Sequence, residues 1–197
     1  PFGIRCGQAN FKGPHLVPKK MQVAICIPHL GLIKAQTVGS LVRLIKNIKV
    51  DWRVLMAEGS ILHVTRERLV KRAIELGCTH VLFVDSDMAF EPDSLDRLLK
   101  RDKDIIGVLY NTKDESKTLT VKIHDENGNI IKEIDDTELM KCAAVATGFM
   151  LIKTEVFKKL PHPWFFWEST EDGEVKTGED MFFCNKARKA GYEVYCD

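Results

Sequence analysis

His80-Val81-Leu82-Phe83-Val84-Asp85-Ser86-Asp87-Met88 is the stretch whose reading decides the fold. Val81 to Val84 form an unbroken apolar run rich in β-branched and aromatic side chains, the pattern of a strand buried on both faces of a parallel sheet. Two carboxylates, Asp85 and Asp87, follow at its carboxyl end, where open α/β sheets place their ligands in a crevice beyond the strand tips. A D-x-D triplet by itself reads as a solvated turn. Delivered to one rim by a short buried strand, the pair offers hard oxygen ligands suited to Mg2+ or Mn2+ carrying a phosphorylated ligand.

Upstream, residues 22–27 make a first buried strand that ends in Pro28-His29-Leu30-Gly31, a turn at the same carboxyl edge. Residues 37–48 follow with Val38, Leu41, Val42, Ile45 and Ile48 at helical spacing and Arg43, Lys46 and Lys49 outward. A second strand, 52–57, exits through Glu58-Gly59-Ser60. The helix predicted over 61–76 carries Leu62, Leu69, Val70, Ala73 and Ile74 on one face and stops at Gly77, a good C′ residue. Arg66, Arg68, Lys71 and Arg72 lie on its polar face. Arg66 falls in the first turns, close to the strand tips, where a cation could meet a phosphate or a base. Strand, helix, strand, helix and then the Asp85–Asp87 strand is the order of a nucleotide-binding α/β half.

Downstream the pattern is less regular. Pro92 opens a short helix, 105–109 is a fourth strand, and alternation on either side of Asn127-Gly128 predicts a small antiparallel hairpin over 118–134. The apolar run 143–152 is interrupted by Thr147-Gly148, where glycine permits close approach of backbone or ligand, and Thr154 reads as the cap of a short helix. Residues 161–178 form a long loop containing Trp164-Phe165-Phe166-Trp167. Four adjacent aromatics cannot all turn inward from one extended segment, so at least one ring should face the crevice. Glu179 opens a final helix closed by Gly191, and 192–196 is the last strand.

Composition bounds the function. The 197 residues suit one domain with a sizeable core, 21–197, behind an irregular Gly- and Pro-rich lead-in, 1–20. Lys+Arg 29 against Asp+Glu 28 leaves no global field to recruit nucleic acid, so binding must be local. The six cysteines show no metal-binding spacing, and several lie in apolar runs, as buried reduced thiols of a cytoplasmic protein would. No run approaches the ~20 apolar residues of a membrane span. The chain begins at Pro1 and stops just after a strand-like run, as a fragment truncated at its C-terminus would.

Three pieces in this order carry a resemblance: the strand with Asp85-Ser86-Asp87, the segment Thr147-Gly148-Phe149-Met150-Leu151-Ile152 with its following helix, and Gly178-Glu179-Asp180 before Gly191-Tyr192. Across roughly 21–197 the chain resembles nucleotide-sugar glycosyltransferases of the GT-A fold, closest to the family 2 type. The resemblance implies a single Rossmann-like α/β domain with a mostly parallel central sheet flanked by helices, its first half holding nucleotide and its second half acceptor. It implies that Asp87 ligates a Mn2+ or Mg2+ bridging the donor diphosphate, with Asp85 and Ser86 beside it. Pro28, Glu58 and Arg66 would hold the nucleotide of a nucleoside diphosphate sugar. Asp180, with Glu179 beside it, would be the base for an acceptor hydroxyl in an inverting transfer, and Gly148, Trp164 and Trp167 would face the acceptor. Glu67 departs from the neutral polar residue common in relatives, which bears on nucleobase choice. A haloacid-dehalogenase-type phosphatase also begins with a strand and D-x-D, but Met88-Ala89 follow here and its later acidic pair would have to be Asp135-Asp136. Nucleotidyltransferases of similar fold carry a glycine-rich basic loop that Pro28-His29-Leu30-Gly31 does not match. A non-catalytic nucleotide-sugar or glycan binding module is the remaining alternative.

Overall fold

The computed structural model describes residues 20–110 and 139–197. Most of the lead-in and all of the hairpin predicted over 118–134, with Asp135-Asp136, lie outside the described residues.

The apolar runs become a seven-stranded sheet in the order β2-β1-β3-β6-β4-β9-β5. Its strands are β1 (Gln22–His29), β2 (Asp51–Glu58), β3 (His80–Val84), β4 (Ile105–Gly107), β5 (Met140–Cys142), β6 (Phe149–Lys153) and β9 (Val194–Cys196). β1 pairs in parallel with β2 and β3, and β4 with β9, whereas β6 runs antiparallel between β3 and β4 and β5 runs antiparallel on β9. Five of the seven strands therefore point one way, and their carboxyl tips share one edge. Every residue of β3 is buried, as its unbroken apolar run requires.

Helices cover both faces. α1 (Ala35–Asn47) and α3 (Ser94–Arg101) bury Leu41, Leu44, Leu95 and Leu98 against one face. α2 (Leu62–Glu75), α4 (Thr154–Lys159) and α5 (Glu179–Lys189) pack Leu69, Val70, Phe157, Phe183 and Ala187 against the other. Gly77 and Gly191 follow α2 and α5 with φ of 78° and 90°, the left-handed values that glycine adopts without strain. None of the five described cysteines is in a disulfide, and all are buried.

Four local readings are corrected. α1 turns Val38 and Val42 outward, 46% and 47% exposed, and buries Thr37 and Ser40 instead. The reason is polar: Thr37 Oγ1 donates to the Ser86 carbonyl at 3.0 Å and Ser40 Oγ accepts the Phe90 N–H at 3.1 Å. α3 starts at Ser94, two residues after Pro92. Thr154 is the first residue of α4 and caps nothing there, because its hydroxyl donates to the Cys78 carbonyl at 2.9 Å. Finally, the segment read as a long loop over 161–178 contains a two-stranded antiparallel ribbon, β7 (Glu168–Ser169) and β8 (Val175–Thr177).

Candidate functional site

The carboxyl edge gathers polar side chains from six elements. β3 ends in a turn, with Met88 N–H bonded to the Asp85 carbonyl at 3.2 Å, and the Asp85 N–H donates across to the Gly148 carbonyl at 2.9 Å. The loop entering α1 clamps this turn from outside. Lys34 N–H reaches the Ser86 carbonyl at 2.8 Å, and Gln36 Nε2 reaches the Asp87 carbonyl at 2.9 Å. The backbone of Asp85–Asp87 is thereby fixed by two neighbouring segments as well as by its own turn, and fixed geometry is what a ligand-binding turn needs.

Arg66 is the largest surprise. It is 1% exposed, although it falls on the face of α2 read as polar. Its guanidinium donates from Nη2 to Asp85 Oδ1 at 2.9 Å and from Nη1 to Glu179 Oε1, so one planar fork joins the β3 tip to the first turn of α5. Its Cζ lies 5.9 Å from the Phe83 ring centroid. Arg66 thus holds two acidic segments together. Glu179, itself buried, also accepts the indole N–H of Trp167 through Oε2.

Asp180 follows on the same turn. Its Oδ1 accepts the Met181 N–H at 2.7 Å. Burial, and next the negative charge of Glu179, push its carboxyl above the ordinary carboxylate range, against the opposing pull of the Met181 N–H and Arg66. A raised pKa makes a carboxylate a stronger proton acceptor once ionised.

Tyr110, three residues beyond β4, is the site residue that sequence reasoning missed. Burial, then the charges of Asp85 and Asp180, raise its phenol well above the usual tyrosine range. It also explains Gly148. A Cβ there would stand 2.5 Å from Tyr110 Oη and 2.7 Å from Cζ, so glycine is required by a tyrosine ring. The signal was present: a polar-tipped aromatic at the end of an apolar run, on the edge that already held Asp85. A cavity of about 170 Å3 opens beside it, lined among others by Met88, Phe90, Tyr110 and Phe149.

The remaining candidates divide. Pro28 is buried near the tip of β1, and Glu58 is exposed at the tip of β2, aligned with His29. Trp164 is a core residue, 4% exposed, whose indole donates to the Phe157 and Leu160 carbonyls at 2.9 and 3.0 Å, so it presents no face to an acceptor. Glu67 anchors the same strand of chain: it accepts the N–H groups of Trp164 and Phe165 and pairs with His162 at 2.9 Å, and is engaged in structure rather than turned to a base. Phe165 is buried as well, while Phe166 and Trp167 are 45% and 43% exposed and pack on His63. The aromatic quartet thus splits into two rings in the core and two at the rim.

No group of three or more His, Cys, Asp or Glu able to hold a metal occurs among the described residues. Asp85 and Asp87 are both partly exposed, and Mg2+ is commonly held by one or two carboxylates together with substrate phosphates. Asp85 and Glu179 both pair with Arg66, and Asp180 stands next to Glu179, so among the described residues these acids outnumber the cation they share, a balance that a divalent ion would offset. The donor set fits a cation shared with a diphosphate and does not form a closed protein cage.

The fold and edge together are those of a Rossmann-like α/β domain with its ligand crevice at the strand tips. Among solved structures the chain is similar to protein A197 from STIV, at 19% identity and TM-score 0.62, covering 90% of this chain and 82% of that one. It also matches S. aureus TarS (13% identity, TM-score 0.48, 90% and 58% covered) and 4-diphosphocytidyl-2C-methyl-D-erythritol synthase from Anaerococcus prevotii (14%, 0.42, 87% and 99%). At these identities the likeness to A197 establishes the fold, and the other two add no argument. No protein-family model and no curated protein matches the chain.

Proposed function

We propose that the protein is a metal-dependent glycosyltransferase that moves a sugar from a nucleoside diphosphate sugar to an acceptor hydroxyl with inversion. The observation that carries this reading is the Arg66 bridge. It sets a carboxylate turn suited to a cation-bound diphosphate beside Asp180, a partly buried acid with a raised pKa. Those are the two groups that such a displacement requires on opposite sides of a sugar. A divalent cation bound through Asp87 and Asp85 would neutralise charge on the departing diphosphate.

The residues of the chain do the rest. Pro28 and Glu58 border the nucleotide side. Asp180 accepts the acceptor's proton, and Glu179, held by Arg66 and Trp167, keeps it in place and raises its basicity. Tyr110, whose phenol feels the charges of Asp85 and Asp180, donates a hydrogen bond from Oη to a reacting oxygen. Trp167 offers an apolar face to an acceptor sugar ring. The buried thiols suit a reducing, cytoplasmic setting.

Calorimetry with a panel of nucleoside diphosphates tests the reading. Binding is expected with Mn2+ or Mg2+ and not in chelator, and Asp87→Ala should abolish the metal dependence. Equal affinity in chelator would overturn it. Phosphate release from a phosphomonoester through Asp85 would instead favour the phosphatase, and donor binding without transfer to any acceptor the non-catalytic module.

A further inference from the structure

β2 closes one side of the sheet, and no described strand pairs with its outer edge. Open edges are ordinarily kept short, bulged or interrupted by proline, because their unpaired N–H and C=O groups accept another extended chain. β2 has none of these protections: it runs for eight residues in unbroken register with β1 and contains no proline. Beside it lies a groove of about 570 Å3 that the candidate site does not use. One wall of the groove is Val54, Leu55, Met56 and Ala57. Leu55 and Ala57 pack on the α2 side of the sheet and Val54 on the α1 side, so what these consecutive residues share is the edge of the strand. The groove therefore follows the backbone edge itself, over ~13 Å.

The other wall is basic. Arg68, Lys71, Arg72 and Glu75 line it at spacings of three and four, a single stripe along α2, and the buried Leu69 joins them. The acids around this stripe are engaged. Glu75 pairs with Arg72 at 3.0 Å, and Asp51, at the start of β2, pairs with Lys20 at 2.9 Å. Glu67 holds His162 and the N–H groups of Trp164 and Phe165, while Glu58 shares the parity of Val54 and lies by Gly31. Arg68 and Lys71 are exposed and form no ion pair among the described residues, and the same holds for Arg53, which shares the parity of Leu55.

A free strand edge beside unpaired cations and an aliphatic floor is complementary to an extended peptide that carries carboxylates. Its main chain bonds to β2, and its acidic side chains reach Arg68 and Lys71. A second copy of the chain does not fit, because a two-fold pairing of β2 with itself brings the same basic stripes face to face. Single-stranded nucleic acid needs rings to stack on, and no aromatic side chain lines the groove among the described residues. We propose that this groove docks an acidic, extended segment of a partner protein, which adds to β2 as an eighth strand of the sheet. The segment lies along residues 54–57, and Glu58 follows at the carboxyl edge, so docking sets the partner beside the crevice. The docking is independent of glycosyl transfer and is read without it.

The test selects random peptides of about eight residues, the length of β2, on the full chain. Enriched sequences should alternate acidic with β-branched residues. A labelled peptide of such a sequence should bind in fluorescence anisotropy and be released by salt. Arg68→Glu with Lys71→Glu should lower its affinity by at least ~10-fold, and Gln at both positions should act in the same direction. Both positions are exposed, and circular dichroism with an unchanged thermal melt checks that the variants fold. Strand addition has a signature that charge alone lacks, since only alternate amides of the peptide face β2. N-methylation of one alternate set should lower affinity by at least ~10-fold, and N-methylation of the other set should leave it nearly unaltered. A library that enriches nothing, or nothing acidic, would overturn the proposal, as would binding that survives the charge reversal or equal effects of the two N-methylated sets. So would an oligothymidylate that binds more tightly than the peptide and is lost in the same variant, which would assign the basic stripe to nucleic acid.

Discussion

Replacing Arg66 by methionine keeps an apolar stem of similar reach over Phe83 but removes the charge that joins Asp85 to Glu179. The cost follows from burial. Arg66 and Glu179 have side chains 1% and 10% exposed, so without Arg66 the Glu179 carboxylate keeps only the Trp167 indole as partner and little water. Breaking such a buried pair costs ~3–5 kcal/mol. The Asp85 side chain, 35% exposed, adds little because solvent screens it. For a chain of this length that is a fall in Tm on the order of 6–20 °C. Adding Glu179→Gln should recover most of the loss, since neutralising the stranded partner removes the penalty, and the coupling between the two changes measures the bridge. Arg66→Lys should fail to rescue, because an ammonium cannot present a planar fork to two carboxylates. Urea unfolding followed by circular dichroism reads the parent, Arg66→Met, Glu179→Gln, the double variant and Arg66→Lys. A loss below ~1 kcal/mol for Arg66→Met, or a double variant no better than the single, would refute the bridge as the element that joins β3 to α5.

The other expectations concern the groups around that bridge. The folded state holds the Asp180 proton more tightly than the unfolded chain does, so stability should fall as pH rises from the ordinary carboxylate value of 3.8 toward the raised one. Asp180→Asn should flatten that slope, gaining stability over the parent only above that range, while transfer drops by ~10²–10⁴-fold, the worth of a positioned base. Gly148→Ala should displace the Tyr110 ring and weaken both stability and turnover, with partial recovery when Tyr110→Ala is added, as a thermal melt and an activity assay of the double variant would reveal. Trp167→Phe deletes the indole donor to Glu179 but keeps a ring at the rim; it should lower turnover with little change in nucleotide affinity, and a calorimetric loss of nucleotide binding would contradict that placement.

The sheet was legible because its signals are local. Buried parallel strands need continuous apolar runs, and residues 22–27 and 81–84 supply them, so strand order in the chain and the position of Asp85 and Asp87 at a tip could be read directly. Helix faces were less legible. Periodicity counts Val38 and Val42 as inward, yet the hydroxyls of Thr37 and Ser40 have specific backbone partners 49 and 50 residues away, and satisfying buried backbone groups outweighs burying two valines. The aromatic quartet shows the same limit. Alternation says that some rings face out, but only the anchoring of Trp164 and Phe165 by Glu67, 97 and 98 residues distant, decides which.

The site itself was half legible for a related reason. Carboxylates at strand tips and helix starts can be recognised one at a time, because each stands next to a strong local pattern. What makes them a site is the cation among them, and Arg66 carries no local mark of its role: it occupies a helix with three other basic residues, Arg68, Lys71 and Arg72, which remain outside. Its burial is decided by Asp85, 19 residues away, and Glu179, 113 away, which together supply enough negative charge to offset desolvation of a guanidinium. The clue available beforehand was counting. A crevice that collects Asp85, Glu179 and Asp180 must offset their charge with a cation or a proton, and among the basic residues of α2 the one in the first turns lies one turn before the buried Leu69 and Val70. Charge balance across elements, applied after the strand tips are assigned, therefore finds the residue that periodicity along a single helix assigns to solvent.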